Sequence, residues 1–284
     1  MKKLTVLTLA FLSALVWGRF ADAAVAVKRV TSPGGIEAWL VEDHTVPVLA
    51  LQFAFRGGAA LDPKGKDGLA ELTGDLLDEG AGDLDSQTFQ GRIQDLGAQL
   101  SFSSDQDNFQ GGVFALTDRR DEVVRLLNLA LSAPRFHADA VERVKSQLLA
   151  QLSQAEESPR RLVRDNFTKL LFGDHPYARR TSGTVEGVTA ITQADLRNFV
   201  ATRFSRDHLV VTAVGDIDAA ALGPLLDRAF GNLPATGAAV EIADATVSDR
   251  GQTLVISKNI PQSTVNFGEA GLGKHDPDIY AGLV

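Results

Sequence analysis

From Gly35 onward apolar and polar positions alternate, with Ile36, Ala38 and Leu40 on one face, and after Glu42-Asp43-His44-Thr45 an apolar run extends from Val46 to Phe55. Period-two alternation marks a half-buried strand, and the short turn between the runs predicts two neighbouring antiparallel strands. Arg56-Gly57-Gly58 ends the second run. The loop Asp62-Pro63-Lys64-Gly65-Lys66-Asp67-Gly68 then leads into Leu69, Leu72, Leu76 and Leu77, where the spacing becomes helical. Ser86 offers an N-cap for a second helix with Phe89, Ile93 and Leu96 inward and Gly97 as its stop. Further strands are predicted at 99–103, 108–116 and 209–214, and helices at 121–133, 138–156, 159–172, 192–204 and 219–230.

The stretch from Gly231 to Asp249 has no strong periodicity, so residues 234–250 read as a linker that closes a first domain over residues 27–233. Beyond it, Thr253–Ser257 and Ser263–Gly268 predict two strands, and Asp276-Pro277-Asp278 caps a helix. That order echoes residues 36–80, which predicts an internal repeat whose second copy, residues 251–284, is incomplete.

Composition agrees with this organisation. The 284 residues are 44% hydrophobic and 23% charged, an ordinary globular balance, and at roughly 150 residues per domain they suggest about two domains. The chain has no Cys, which removes disulfides, thiolate zinc sites and cysteine nucleophiles together. Lys2 and Lys3 precede an apolar run of 14 residues from Leu4 to Trp17, followed by the small-x-small pattern Ala21-Asp22-Ala23. Spanning a bilayer takes about 20 residues, so residues 1–23 read as a secretory signal peptide, and the expected location is outside the cytoplasm, in a bacterial periplasm. Its removal takes away Lys2, Lys3, Arg19 and Asp22, a net +2, and moves the charge from −8 to −10. A mature chain this acidic is expected to bind neither nucleic acid nor an anionic membrane.

The five His stand at 44, 137, 175, 208 and 275, none of them three or four residues apart, so no pair shares a helix face for a metal. Neither a Gly-x-Ser-x-Gly elbow nor a phosphate loop occurs, and Ser205-Arg206-Asp207-His208 is too local for a catalytic triad. Gly215-Asp216-Ile217-Asp218 lacks most of a calcium-loop ligand series and reads as a strand-to-helix turn. Glu71, Asp75, Asp78 and Glu79 form an acidic cluster in which 71 and 75, and 75 and 79, are four apart. Paired carboxylates suit a hard cation, but with no third ligand type nearby a solvated helix face is the expectation.

Arg56-Gly57-Gly58-Ala59-Ala60 followed by Asp67-Gly68-Leu69-Ala70 resembles the entry to the catalytic helix of the insulinase, pitrilysin and mitochondrial processing peptidase family, zinc peptidases with an inverted His-x-x-Glu-His motif. The resemblance continues through Phe172-Gly173-Asp174-His175-Pro176-Tyr177, Gly183–Ile191, Val210–Asp218, Gln262-Ser263-Thr264-Val265 and Asp276–Tyr280, so that it covers about residues 27–284. It implies an α+β fold, a mostly antiparallel sheet covered by helices, in repeated domains of which the second is here incomplete.

In the register of this resemblance the ligand, base and ligand of His-x-x-Glu-His fall on Glu71, Gly74 and Asp75, and the distal carboxylate ligand falls near Leu149, Ala150 and Gln151. Zinc needs three protein ligands and its water a nearby base, so the resemblance implies a kept fold without catalytic or metal-binding residues, and with no cofactor of its own. Ligand-less members of the family act beside a chain that keeps the motif. The implied role is a non-catalytic subunit in a hetero-oligomer with a catalytic zinc peptidase subunit, which alone carries the zinc, acting on a peptide substrate. Two other functions stay open at this point: an active metallopeptidase with Glu71 and Asp75 as ligands, and a structural or binding protein without a protease partner.

Overall fold

The computed structural model describes residues 26–247, 251–273 and 276–282. The leader assigned to residues 1–23 and the linker positions 248–250 lie outside these residues. Eight strands form, β1 (Val27–Thr31), β2 (Glu37–Glu42), β3 (Val48–Arg56), β4 (Gly80–Ala81), β5 (Leu84–Asp85), β6 (Gln99–Ser104), β7 (Asn108–Leu116) and β8 (Leu209–Gly215). Six of them make one sheet in the order β1-β2-β8-β3-β7-β6, while β4 and β5 make a separate small hairpin. Every pairing in the large sheet is antiparallel except that of β2 with β8.

The expectation that the first two runs lie side by side is corrected by this order. β8 sits between them, so that Leu40 and Leu51 both face Ala213 from opposite sides. Neighbouring strands lie about 4.8 Å apart, and the five residues from Asp43 to Pro47 are long enough to step over one strand position. β1 carried little periodic signal because it is an edge strand with Val30 as its single buried residue.

Strand alternation sorts the sheet into two faces. Leu49, Leu51, Phe53 and Phe55 of β3 point into the core, and Ala50, Gln52 and Ala54 point away. Helices α1 (Leu69–Gly74), α2 (Ser86–Asp95), α3 (Arg120–Ser132), α4 (Ala138–Glu156), α5 (Pro159–Phe172), α6 (Val185–Ala190), α7 (Gln193–Arg203) and α8 (Ala219–Phe230) accompany the sheet. The core centres on aromatic rings: Phe55 stacks on Phe204 at 4.8 Å, and Phe53 meets Phe230 edge to face at 5.3 Å. Phe53 also lies flat against β7, where a Cβ on Gly111 would stand 2.2 Å from its ring, so only glycine lets the ring approach the strand.

Residues 234–247 form no regular element but are tied to the domain rather than free. Ala238 N donates to Thr202 O at 3.0 Å, Gly237 N to the Asp207 carboxylate at 3.1 Å, and Arg206 N to Pro234 O at 2.9 Å. The strands expected at 253–257 and 263–268 do not form: the described residues there carry no ladder, and Val255, Val265 and Phe267 are exposed. A pair of strands in isolation is marginal in water, so the local pattern alone does not make them. A short helix, α9 (Ile279–Gly282), follows Asp276-Pro277-Asp278.

Candidate functional site

The site grows from the way α1 is started. Gly68 adopts φ 101°, a left-handed conformation, and a Cβ there would press on Val188 at 2.8 Å. The helix cap comes from Asp62, six residues upstream, whose carboxylate accepts from Gly68 N at 2.9 Å and Ala70 N at 3.2 Å. Burial pushes the Asp62 carboxyl up to about 7, outweighing the backbone N–H groups and the Arg179 charge that pull it down. Arg179 in turn donates to Ala60 O, Asp62 O and Asp67, and Arg203 donates to Leu61 O at 2.9 Å. These two arginines lock the loop that aims α1.

α1 runs only from Leu69 to Gly74 and is followed by tight turns, Leu77 N to Gly74 O and Glu79 N to Leu76 O. The acidic cluster is therefore not a continuous solvated helix face. Glu79 turns inward, is buried, and is paired with Arg143 while Ser86 Oγ and Gln90 Nε2 donate to it. Glu71 and Asp78 are half-buried, and Asp75 is exposed at the mouth of a cavity of about 430 Å³.

The walls of this cavity are α1 with the turns after it (Glu71, Gly74, Asp75 and Asp78), β6 (Ser101 and Phe102) and α4 (Gln147 and Gln151). Burial pushes Glu71 upward, opposed by the Ser104 hydroxyl that donates to it at 3.4 Å. Crowding by the walls, then the Glu71 charge, push the Asp75 carboxyl up to about 6 even though its side chain reaches solvent. Asp78 is pushed up to about 6 by burial and by the adjacent Glu79.

Of the three positions expected to face this wall from α4, Gln151 does so, while Leu149 packs against the core and Ala150 is exposed away from the cavity. Gln147, four residues before Gln151, faces it as well, together with Val144 and Leu148. The i, i+3, i+4 phase of the helix was the available signal for this face. Asp62, Arg179 and Arg203 had no such signal, since each acts through backbone amides or carbonyls, and the two arginines reach a loop far away in sequence.

The donor set does not suit zinc of the peptidase kind. It offers the carboxylates of Glu71, Asp75, Asp78 and Glu79 and two amides in place of imidazoles, and the position that the resemblance gives to the base is a glycine. Among the described residues no three His, Cys, Asp or Glu side chains converge as a metal-holding group. A side chain at position 74 has room, because a Cβ there would make only ordinary contacts, 3.6 Å from Phe109 and 3.7 Å from Phe102.

A helix-backed sheet with a cavity between α1 and the long helix α4 defines an α+β domain with its candidate site on the sheet edge. The chain belongs to the insulinase family of peptidases: residues 38–185 match Insulinase (Peptidase family M16), and residues 190–284 match Peptidase M16 inactive domain. It is 30% identical over 260 residues to the non-peptidase homolog YmxG of Helicobacter pylori, an alignment spanning 91% of this chain and 60% of that protein. It is 22% identical over 234 residues to the beta subunit of the mitochondrial-processing peptidase of Neurospora crassa, covering 80% of this chain and 48% of the relative. In structure it resembles a peptidase M16 inactive domain from Pseudomonas fluorescens, with a TM-score of 0.73 at 26% identity over 78% of this chain and 54% of the other. The chain thus spans about half to three-fifths of the length of these relatives.

Proposed function

We propose that this protein is the non-catalytic subunit of a secreted zinc-peptidase complex, pairing with an active subunit to bind and process peptides. The observation that carries this reading is the cavity in which Glu71, Gly74 and Asp75 face Gln147 and Gln151. The shape of a peptidase site is retained there, while position 74 has no side chain to activate water. One relative is named a non-peptidase homolog, which points the same way, and others are named uncharacterized zinc proteases, which favours the metallopeptidase alternative. Export rests on Lys2-Lys3, the Leu4–Trp17 run and Ala21-Asp22-Ala23. Among the described residues no helix is long and apolar enough to cross a membrane. Peptide capture has a structural means in β6, the outermost strand, whose free edge borders the cavity and can add an extended chain through backbone hydrogen bonds.

Three measurements test the proposal. The purified chain is expected to hold no stoichiometric zinc and to cleave no peptide, with or without chelator; chelator-sensitive cleavage by this chain alone would favour the reading with Glu71 and Asp75 as ligands. Affinity purification from the native host is expected to recover a chain carrying His-x-x-Glu-His, and its absence would favour a structural or binding role without a protease partner. The triple substitution Glu71→His, Gly74→Glu, Asp75→His is expected to leave the chain inactive, because no carboxylate stands on α4 opposite it; full cleavage by that variant would contradict the assignment of the lost distal ligand.

A further inference from the structure

A metal held by ligands on two separate helices is a crosslink as well as a reagent, and its binding energy becomes folding energy. Glu71 and Asp75 on the α1 wall face Gln147 and Gln151 of α4 without making such a ligand set. The two walls are joined by other means. Among the described residues, the pairing of Glu79 with Arg143 is the one hydrogen bond or ion pair between residues 69–85 and α4. Glu79 lines the cavity from the turns after α1, and its carboxylate also accepts from Ser86 Oγ and, at 3.4 Å, from Gln90 Nε2 of α2. One carboxylate thus gathers three segments of chain.

Arg143 stands four and eight residues before Gln147 and Gln151, on the side of α4 that faces the cavity. Among the described residues it is the one basic side chain paired with any of the wall's carboxylates, Glu71, Asp75, Asp78 and Glu79, and its charge opposes the upward push on Asp78 as well. The Glu79 side chain is 9% exposed and that of Arg143 48%, so the carboxylate is the partner that cannot be left alone. We propose that Glu79 and Arg143 form a charged clamp that does for this cavity what a metal does in a zinc site, holding the turns after α1 to α4 and so fixing the distance between the walls with no ion. The inference rests on the reading of the site as metal-free.

Thermal melts and hydrogen exchange of the full chain test the clamp, with the variants Arg143→Met, Arg143→Lys and Arg143→Met combined with Glu79→Gln. Arg143→Met leaves a buried carboxylate without its cation. It is expected to lower the Tm by about 5 °C and to speed amide exchange over residues 76–80 about tenfold, while the amides of β3 and β7 stay protected. Arg143→Lys keeps the charge and is expected to recover most of the loss. Adding Glu79→Gln to Arg143→Met is expected to raise the Tm again, because it removes the stranded charge. A side chain that acted through packing alone would gain from neither change, so a lysine variant as unstable as the methionine one, or a double variant less stable than Arg143→Met, overturns the clamp and leaves the metal-free reading standing. Zinc and chelator are expected to leave the Tm of the unsubstituted chain unchanged. Stoichiometric zinc that raises this Tm overturns the metal-free reading and, with it, the part assigned to the clamp.

Discussion

Asp75 and Asp78 are two carboxyls held on one wall of the same cavity. Both carboxyls are raised to about 6, the first by crowding and the Glu71 charge, the second by burial and the Glu79 charge. An acid whose folded pKa lies above its unfolded value of about 3.9 binds more protons when folded, so its stabilising effect is fully present below pH ~4 and is lost as pH rises through 6. Asp75→Asn and Asp78→Asn are therefore expected to raise the Tm at pH 7.5, with the gap closing as pH falls toward 4. Thermal melts at both pH values check this, and a gap that persists at pH 4 would mean that the substitutions act through packing. The α1 wall of the site was legible because Glu71 and Asp75 are four residues apart and so share one face. The α4 wall was legible only to within a turn, since spacing along a chain does not give the rotational phase of a helix. That is why Leu149 and Ala150 fell beside the cavity and Gln147 was missed.

At the scale of elements, periodicity located nearly every helix and core strand, but pairing was another matter. A turn of four or five residues suggests a hairpin on local grounds alone, and nothing between Leu40 and Val48 betrays that β8, some 160 residues later, takes the place between them. Non-local pairing is decided by which buried strand completes the sheet, here Val211 and Ala213 of β8. The close contact of β7 with Phe53 makes a sharper test of this packing. Gly111→Ala places a methyl 2.2 Å from the ring and is expected to destabilise the domain by about 1–3 kcal/mol, read from urea unfolding. A smaller effect attends the strap after α8. Asp207→Ala removes the acceptor of Gly237 N and is expected to speed amide exchange at Gly237 while leaving the core amides protected, as hydrogen exchange with mass spectrometry would report.

Among the described residues, helices cover one face of the large sheet. Trp39, Phe114, Val210 and Val214 stand on the opposite face with roughly half of their surfaces open, Trp39 at 51%. Singly exposed apolar residues are unremarkable, but these sit on adjoining strands and make a patch. Trp39 is one of two tryptophans, the other being Trp17, so in a chain begun at residue 24 its fluorescence reports on that face alone. Acrylamide is expected to quench it freely in that isolated chain, and protection from quenching would mean that the face is covered in solution by another copy.

The position of β8 also sets the order in which the molecule can be completed. While the chain is being made, everything up to His208 can form two half-sheets, β1 with β2 and β3 with β7 and β6, each with an unsatisfied inner edge. Only when the seventh residue of β8 has been added can one strand close both edges, and Arg203, just upstream, then secures the loop before α1. The nascent protein thus stays open until β8 is made, and folding ends in a single long-range closure rather than growing from one end.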